Sequence, residues 1–155
     1  MKVREIMTTP VITAPADMPV GDLAELLAKR RITAVPIVDS DGAVIGLVSE
    51  YDLMARPGKT AADVMTRGVI TVDQETEVDD VRFLLVERRI RRVPVMNGRE
   101  MVGIISRSDI VRLMALHWIC EACGESARGD APPAQCPRCA AAGERFVQEP
   151  LHPGM

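Results

Sequence analysis

The sequence predicts a mixed fold, α/β (α+β), in which two related β-α-β-β-α units precede a small cysteine-rich domain. Two observations lead to this prediction. The first 116 residues carry a doubled pattern of short apolar runs, and all four cysteines lie between residues 120 and 139. Of the 155 residues 47% are hydrophobic and only 3% aromatic, so a core can form from Val, Ile, Leu, Ala and Met.

The doubled pattern repeats with an almost constant offset. Ile6-Met7-Thr8 returns 58 positions later as Val64-Met65-Thr66, and Val35-Pro36-Ile37 returns as Val93-Pro94-Val95. Beyond a turn that is one residue longer in the first unit, the offset is 57, and Gly46-Leu47-Val48-Ser49 pairs with Gly103-Ile104-Ile105-Ser106. Ordered matches of this kind indicate two copies of one structural unit.

Each unit is predicted to run from a β-prone segment through an amphipathic helix and a hairpin into a second helix. Val20, Leu23 and Leu27 have the spacing of one helix face. Thr76 and Asp79 resemble a capping box at the start of the equivalent helix. The expected strands are residues 11–13, 35–38 and 44–48 in the first unit and residues 69–72, 93–96 and 101–105 in the second. The second helices are expected to begin at Ser49 and Ser106.

The domain boundaries follow from this pattern. A single unit of about 55 residues is marginally stable alone. We therefore expect the two sheets to pack with pseudo-twofold symmetry around a cleft. The predicted divisions are repeat one at 1–56, a linker at 57–60, repeat two at 61–116, a four-cysteine ribbon at 117–149 and a loose tail at 150–155.

Composition narrows the functional classes. The net charge of −3 offers no general attraction to nucleic acid or to an anionic membrane. No signal peptide and no apolar stretch of spanning length are expected, which favours a cytoplasmic protein. The only histidines are His117 and His152, so no nucleophile–base pair suggests an enzyme.

The order Met-Thr, Val-Ile-Thr, Val-Pro and Gly-x-x-Ser-x-x-Asp resembles a pair of CBS domains, the Bateman module, over roughly residues 1–116. The resemblance implies an adenosine-containing ligand (AMP, ADP, ATP or S-adenosylmethionine) and a homodimer. It also implies that Asp contacts ribose and that Ser or Thr lies near ribose or phosphate. One implied site comprises Thr8, Val11, Ile12, Val35, Ser49 and Asp52. The other, site two, comprises Thr66, Val69, Ile70, Val93, Ser106 and Asp109.

The two implied sites differ in charge. Five arginines cluster in the second repeat: Arg88, Arg89, Arg91, Arg92 and Arg107. Guanidinium groups bind phosphates well. Arg107 corresponds to Glu50, whose carboxylate repels phosphate. Site two, with Arg91, Arg92 and Arg107, is therefore favoured for an anionic nucleotide. Site one is expected to be empty or to take a less charged adenosyl ligand.

The Ser-x-x-Asp motifs and the arginine cluster each also have a purely structural interpretation. Ser-x-x-Asp at a strand-to-helix junction is also a helix cap. Ser49 and Ser106 stand at helix starts, where N–H groups favour either a cap or a phosphate. The arginine cluster could equally be a solvated helix face.

The cysteine tail indicates a metal site. Cys120-Glu121-Ala122-Cys123 and Cys136-Pro137-Arg138-Cys139 are two Cys-x-x-Cys pairs separated by 12 residues, and four thiolates complete a tetrahedron. The tail should need its metal to fold. Disulfides or a thioredoxin-type redox pair are the weaker alternatives.

This tail resembles the rubredoxin-like domain, or zinc ribbon, of rubrerythrins, which implies Zn²⁺ or Fe²⁺/Fe³⁺ bound by Cys120, Cys123, Cys136 and Cys139. Thiolate ligation alone does not separate the two metals. Glu125 stands where such domains usually carry an aromatic residue, and no di-iron helices are present for a peroxidase role. Trp118 and Phe146 are expected to cover the site, and His117 to end the last helix.

These observations favour a regulatory binding module in which a ligand in the cleft is coupled to the ribbon through the last helix. The alternatives are a rubredoxin-like iron protein for electron transfer, with the repeats as a gate, and a zinc ribbon that docks an unknown protein. A nucleic-acid role is disfavoured because the tail holds five acidic residues against three arginines.

Overall fold

A computed structural model describes residues 1–148 of the chain. The chain folds as two compact units, of which the first is Met1–Ser106 and the second starts at Arg107. This division falls inside the predicted second repeat, so the last helix belongs to the same unit as the ribbon. Among residues 1–148, no helix is both long enough and apolar enough to cross a bilayer.

The first repeat has the predicted α/β architecture. Its elements are β1 (Ala14–Pro15), α1 (Val20–Arg30), β2 (Ala34–Val38), β3 (Val44–Ser49) and α2 (Glu50–Ala55). The sheet order is β1-β2-β3, with β1 parallel and β3 antiparallel to β2. Leu23 and Leu27 of α1 are buried against Val35, Ile37 and Val48 of the sheet, as expected for an amphipathic helix on a sheet face.

The second repeat copies this topology. Its elements in the first unit are α3 (Ala61–Val64), β4 (Val72–Asp73), α4 (Val78–Glu87), β5 (Arg92–Asn97) and β6 (Glu100–Ser106). The sheet order β4-β5-β6 repeats the parallel and antiparallel pairings. The predicted fold class is therefore confirmed.

Two local expectations need correction, and one helix was not expected. The first strand of each repeat is two residues long, at Ala14–Pro15 and Val72–Asp73, because only these residues pair with the hairpin. The predicted cap at Thr76 is wrong: α4 starts after Glu77 and has no side-chain cap. The unexpected helix is α3, which begins with a capping box between Thr60 and Asp63.

The two repeats exchange their first segments. Thr66 of the second repeat forms a β-bridge with Leu47 of β3, through N–H···O distances of 2.9 and 3.0 Å. Thr8 of the first repeat forms the equivalent bridge with Ile104 of β6, at 2.9 and 3.2 Å. Each repeat is therefore completed by the segment that belongs, in sequence, to the other.

Glycine makes this exchange possible. A Cβ built on Gly46 would collide with Sδ of Met65, and one built on Gly103 would collide with Sδ of Met7. Any larger residue at these two positions would have to push the methionine aside. The methionine before each exchanged threonine thus needs a glycine beneath it.

The second unit contains α5 (Arg107–Ala115) and a three-stranded antiparallel ribbon. The strands are β7 (His117–Cys120), β8 (Ser126–Arg128) and β9 (Phe146–Gln148), in the order β8-β7-β9. His117 begins β7, so the expectation that it ends the helix is wrong. The predicted loose tail 150–155, with His152, and residue Glu149 lie outside the described residues.

Candidate functional site

A cleft of about 580 Å³ opens in the first unit, a volume typical of small-molecule sites. Apolar, hydroxyl and charged side chains share it. The lining residues are Thr33, Leu47, Ser49, Glu50, Tyr51, Met54, Thr66, Gly68, Val69, Ile70, Ile90, Arg91 and Arg92. The cleft therefore draws on both repeats.

The structure groups these residues differently from the two sites inferred from the sequence. Ser49, assigned to site one, shares the cleft with Val69, Ile70, Arg91 and Arg92, assigned to site two. The cause is the exchanged segment. Since the bridge to β3 holds the residues around Thr66 against the first repeat, the extended chain that follows them lines the first repeat's cleft.

Asp52 lies beneath this cleft and does not line it. The carboxylate is buried, with 4% exposure. Its Oδ2 accepts hydrogen bonds from the Ser49 N–H at 2.9 Å and the Ser49 hydroxyl at 3.0 Å. Its Oδ1 accepts one from the Thr66 hydroxyl at 3.2 Å and lies 3.5 Å from Nε of Arg56. The structural alternative is thus observed here, because Ser49 and Asp52 form a capping box at the start of α2.

Thr33 forms hydrogen bonds with two of the residues that carry charge at the cleft. Its hydroxyl accepts a hydrogen bond from Nη2 of Arg92 at 2.5 Å, and its carbonyl accepts one from the N–H of Glu50 at 3.0 Å. Burial lowers the pKa of Arg92, and neighbouring Arg91 lowers it further, whereas Glu50 raises it. Two guanidinium groups and one carboxylate therefore share one electrostatic environment.

The remaining predicted ligand residues lie elsewhere. The side chains of Val35 and Val93 are fully buried in the core, so only their backbone could contact a ligand. Thr8 pairs with β6, Val11 lines a separate cavity with Thr9 and Pro10, and Ile12 packs against the first core cluster. Ser106 ends β6, while Arg107 and Asp109 lie in the first turn of α5. The ligand roles of these residues stay predictions.

Six residues of the cleft were not predicted from the sequence to lie at either site: Thr33, Leu47, Tyr51, Met54, Gly68 and Ile90. Thr33 and Ile90 precede the Val-Pro strands, and Tyr51 and Met54 lie on the outer face of α2, at 70% and 80% exposure. The available signal was their position beside the repeated motifs. Ile90 repeats Ile32, but Thr33, Tyr51 and Met54 have no match in the other repeat, and a search for repeats does not select such residues.

The four cysteines of the ribbon form one cluster. Their sulfur atoms all lie within 4.8 Å of one another. Sγ of Cys120 is 3.7 Å from that of Cys139, and Sγ of Cys123 is 3.6 Å from that of Cys136. These separations are far beyond a disulfide bond and match the roughly 3.8 Å edge of a tetrahedron with metal–sulfur distances of about 2.3 Å. The donor set therefore fits the predicted metal.

Two equivalent knuckles carry the cysteine pairs. The N–H of Gly124 donates to the carbonyl of Cys120 at 2.8 Å, and the N–H of Ala140 donates to that of Cys136 at 2.9 Å. Gly124 and Ala140 both have positive φ, at 75° and 57°. Burial raises the pKa of the Cys136 thiol, but the N–H groups of Arg138 and Cys139 lower it, and the net shift is downward. Such N–H donors favour thiolate, which is the form that binds metal.

Apolar residues enclose the cluster as predicted. Trp118 and Phe146 pack against Cys120 and Cys136, and the indole N–H of Trp118 donates to the carbonyl of Gly129 at 2.9 Å. Glu125, the departure from the rubredoxin pattern, lies 3.9 Å from Arg138 of the other knuckle. A weak ion pair between the knuckles thus occupies the position of the usual aromatic residue.

Comparison with known proteins places both parts of the chain. The model of the CBS domain matches residues 3–58 and 61–116, and that of the rubrerythrin, rubredoxin-like domain matches residues 118–147. L-aspartate semialdehyde sulfurtransferase of Methanocaldococcus jannaschii is 36% identical over 115 residues, 72% of this chain and 23% of that protein. CBS domain-containing protein CBSX1 of Arabidopsis thaliana is 30% identical over 128 residues, 60% of this chain and 54% of that protein. The chain thus spans a quarter to a half of the length of these relatives.

Two solved structures share the fold. The CBS domain pair of protein MJ0100, in complex with 5′-methylthioadenosine and S-adenosyl-L-methionine, superposes with a TM-score of 0.69 at 35% identity, over 73% of this chain and 94% of that one. CBSX2 in complex with AMP has a TM-score of 0.68 at 30% identity, over 72% and 93%. The chain therefore belongs to the CBS domain family, as a tandem pair followed by a rubredoxin-like four-cysteine domain.

Proposed function

We propose that this chain is a non-catalytic regulatory module that binds an adenosine-containing ligand (AMP, ADP, ATP or S-adenosylmethionine) in the cleft of the CBS pair. One observation carries the proposal: the exchanged segments bring an apolar wall, hydroxyl groups and two arginines together in one cleft of about 580 Å³. The two similar structures in complex with adenosyl compounds support it.

Different residues of the cleft lining are suited to different parts of an adenosyl ligand. Leu47, Val69, Ile70 and Ile90 form an apolar wall for the adenine ring, with Gly68 beside them. The hydroxyl oxygens of Thr33, Ser49 and Thr66 already take part in hydrogen bonds, but each keeps an acceptor position that a ribose hydroxyl can use. Since α2 already uses N–H groups for Thr33 and Ser49, the arginines provide the anion contacts.

Asp52 acts through its neighbours in this proposal. Its carboxylate holds the hydroxyls of Ser49 and Thr66, which both line the cleft. A direct contact between Asp52 and ribose, as the family resemblance implies, requires the ligand to displace one of these donors. Replacing Asp52 would leave the Ser49 and Thr66 groups unpositioned, so it is unsuitable as a simple test of binding.

The proposal is tested by thermal unfolding with each of the four ligands, using protein whose bound metal has been identified and quantified. A ligand at 100 times its dissociation constant adds about 2.7 kcal/mol to the native state, a rise of roughly 5–10 °C in Tm for a chain of this size. The rise should shrink in Arg91→Ala, which removes an exposed side chain of the cleft, and persist in Arg88→Ala, which removes an exposed arginine outside it. Asp109→Ala tests the predicted second site in the same way.

A rise that both arginine variants retain would place the ligand elsewhere. The absence of a rise with any of the four ligands would leave the Ser-x-x-Asp motifs as helix caps, and the sensor function would be rejected.

The ribbon is the proposed receiver of the ligand signal. Arg107 follows Ser106 directly, so α5 continues the chain from β6. Its last carbonyls are bonded by the ribbon: the Gln148 side chain donates to Ala115 at 3.1 Å, and the Gly129 N–H donates to Leu116 at 3.0 Å. Only one residue separates α5 from β7. A movement of α5 would therefore be passed to the ribbon, because no flexible linker lies between them.

NMR relaxation of the zinc-loaded chain tests this coupling. We expect ribbon amides to tumble with the correlation time of the CBS pair and to shift when ligand is added. A ribbon that tumbles independently, with and without ligand, would contradict the coupling and leave nucleotide binding intact.

Electron transfer is the second candidate, and one observation favours it. Three of the clustered cysteines are at least partly covered, but Cys139 is exposed, which would bring a bound iron close to the surface. A reversible one-electron couple of the iron-loaded protein would support this function. Firmly bound zinc in protein isolated from its host would rule it out.

A further inference from the structure

We infer that the cleft selects adenosyl ligands that carry a sulfonium cation beside a carboxylate, as S-adenosylmethionine does, over nucleotides that carry phosphate alone. This inference rests on the proposed function and names its ligand class. The observation behind it is a carboxylate, that of Glu50, which lines the same cleft as Arg91 and Arg92.

The charges of the cleft are mixed. Among its 13 lining residues the charged ones are Glu50, Arg91 and Arg92, so the lining carries a net charge of +1. A triphosphate would gain from the arginines but would be repelled by Glu50, and its remaining charges would have no protein partner. A ligand with one carboxylate and a nearby cation complements both signs.

Thr33 contacts both Arg92 and Glu50 without pairing their charges. It hydrogen-bonds Arg92 through its hydroxyl and the Glu50 N–H through its carbonyl. Within residues 1–148 no salt bridge joins Glu50 to either arginine, so the opposite charges remain available to a ligand. The amino-acid end of S-adenosylmethionine offers a carboxylate for a guanidinium group, and its sulfonium is the cation offered to the carboxylate of Glu50.

Tyr51 provides a second feature for a cation. It is the only tyrosine of the chain and, at 70% exposure, the only aromatic residue of the cleft lining. Aromatic faces attract ligand cations, including methylated onium groups. A sulfonium would therefore find both a carboxylate and an aromatic ring on adjacent residues of α2, whereas a thioether would gain little from either.

Isothermal titration of the full zinc-loaded chain with S-adenosylmethionine, S-adenosylhomocysteine, AMP and ATP tests the inference. The first two ligands differ only in the sulfonium methyl group and its charge. We expect S-adenosylmethionine to bind roughly five- to tenfold more tightly than S-adenosylhomocysteine, and more tightly than ATP.

The matched variants are Glu50→Gln and Glu87→Gln. Both remove one exposed carboxylate from the same unit, but only Glu50 lines the cleft. Glu50→Gln should reduce the preference for S-adenosylmethionine to about twofold and strengthen ATP binding, while Glu87→Gln should change neither ratio. Tyr51→Leu should weaken S-adenosylmethionine more than S-adenosylhomocysteine.

The outcomes separate the inference from the proposed function. Tighter binding of AMP or ATP than of S-adenosylmethionine, with ratios that Glu50→Gln leaves unchanged, would overturn the charge selectivity and retain the adenosyl sensor. Binding of none of the four ligands would overturn both.

Discussion

At the scale of single residues, the two metal knuckles place different amino acids, a glycine and an alanine, at the same left-handed backbone position. Gly124 and Ala140 occupy equivalent places, four residues after the first cysteine of each pair, and both adopt a left-handed backbone. Glycine reaches this region without strain, while alanine is strained there by its Cβ. The second knuckle therefore carries a cost that the first avoids.

A reciprocal pair of substitutions measures this cost. Ala140→Gly should stabilise the metal-bound ribbon by about 1 kcal/mol, and Gly124→Ala should destabilise it by about 1–2 kcal/mol. A Cβ on Gly124 meets no atom within 4 Å, so its effect would come from the backbone alone. Thermal unfolding of zinc-loaded variants gives both values. Equal effects of the same sign would contradict the assignment of strain to φ.

At the scale of elements, α3 depends on a cap that the sequence already displays. The carboxylate of Asp63 accepts hydrogen bonds from the N–H groups of Lys59 at 2.9 Å and Thr60 at 3.0 Å. These bonds lower the pKa of Asp63, with the Lys59 N–H as the largest cause. The helix start is thus stabilised by an ionised carboxylate.

The lowered pKa sets the sign of a pH dependence. The stabilisation from Asp63 is complete above its unfolded pKa of about 3.8 and is lost as the pH falls through the lower folded value. Asp63→Asn should therefore lower Tm at pH 7, and the difference from the parent should narrow in acid. Unfolding curves between pH 7 and pH 3 show this. A difference that stays constant with pH would mean that charge has no part in the cap.

The end of α5 depends on the metal ribbon, whose residues bond its last carbonyl groups. Removing the metal with a chelator should unfold the ribbon and release the bonds that Gln148 and Gly129 make to Ala115 and Leu116. Amide hydrogen exchange should then accelerate in the last turn of α5, while α4, in the other unit, serves as the control. Unchanged protection of α5 without metal would show that the ribbon does not cap it.

The sequence predicted these elements unevenly. Helices, hairpins and the cysteine cluster followed from periodicity, from Gly-containing turns and from Cys-x-x-Cys spacing, which are local signals. The exchange of Thr8 and Thr66 between repeats is a tertiary pairing and left no such mark, so the site residues were grouped within repeats. Gly46 and Gly103 lie against Met65 and Met7 of the exchanged segments. A glycine in a strand indicates that another residue approaches closely, but the sequence does not show which residue that is.

At the scale of the whole molecule, two helices present apolar side chains to solvent. Tyr51 and Met54 on α2, and Phe83 and Val86 on α4, are 68–80% exposed. Each pair has i, i+3 spacing and so forms a stripe on one helix face. Tyr51 and Met54 line the cleft, so the α4 stripe is the one that supports the homodimer that the family resemblance implies.

Light scattering after size exclusion tests the expected dimer. We predict a dimer for the parent chain and a shift toward monomer for Phe83→Glu, which places a charge on the α4 stripe outside the cleft. Glu87→Gln is a control on the same helix. A parent chain that is monomeric at high micromolar concentration would contradict the prediction.

The exchange of first segments has a consequence for synthesis of the chain. The ribosome releases the first repeat before residues 59–66, which complete it, and Ile104, which receives Thr8, is made later still. The nascent first repeat therefore keeps the β3 edge open until Thr66 has emerged, and Thr8 finds its partner only after Ile104 has been made. In a protein built this way neither half reaches its final structure from its own residues alone.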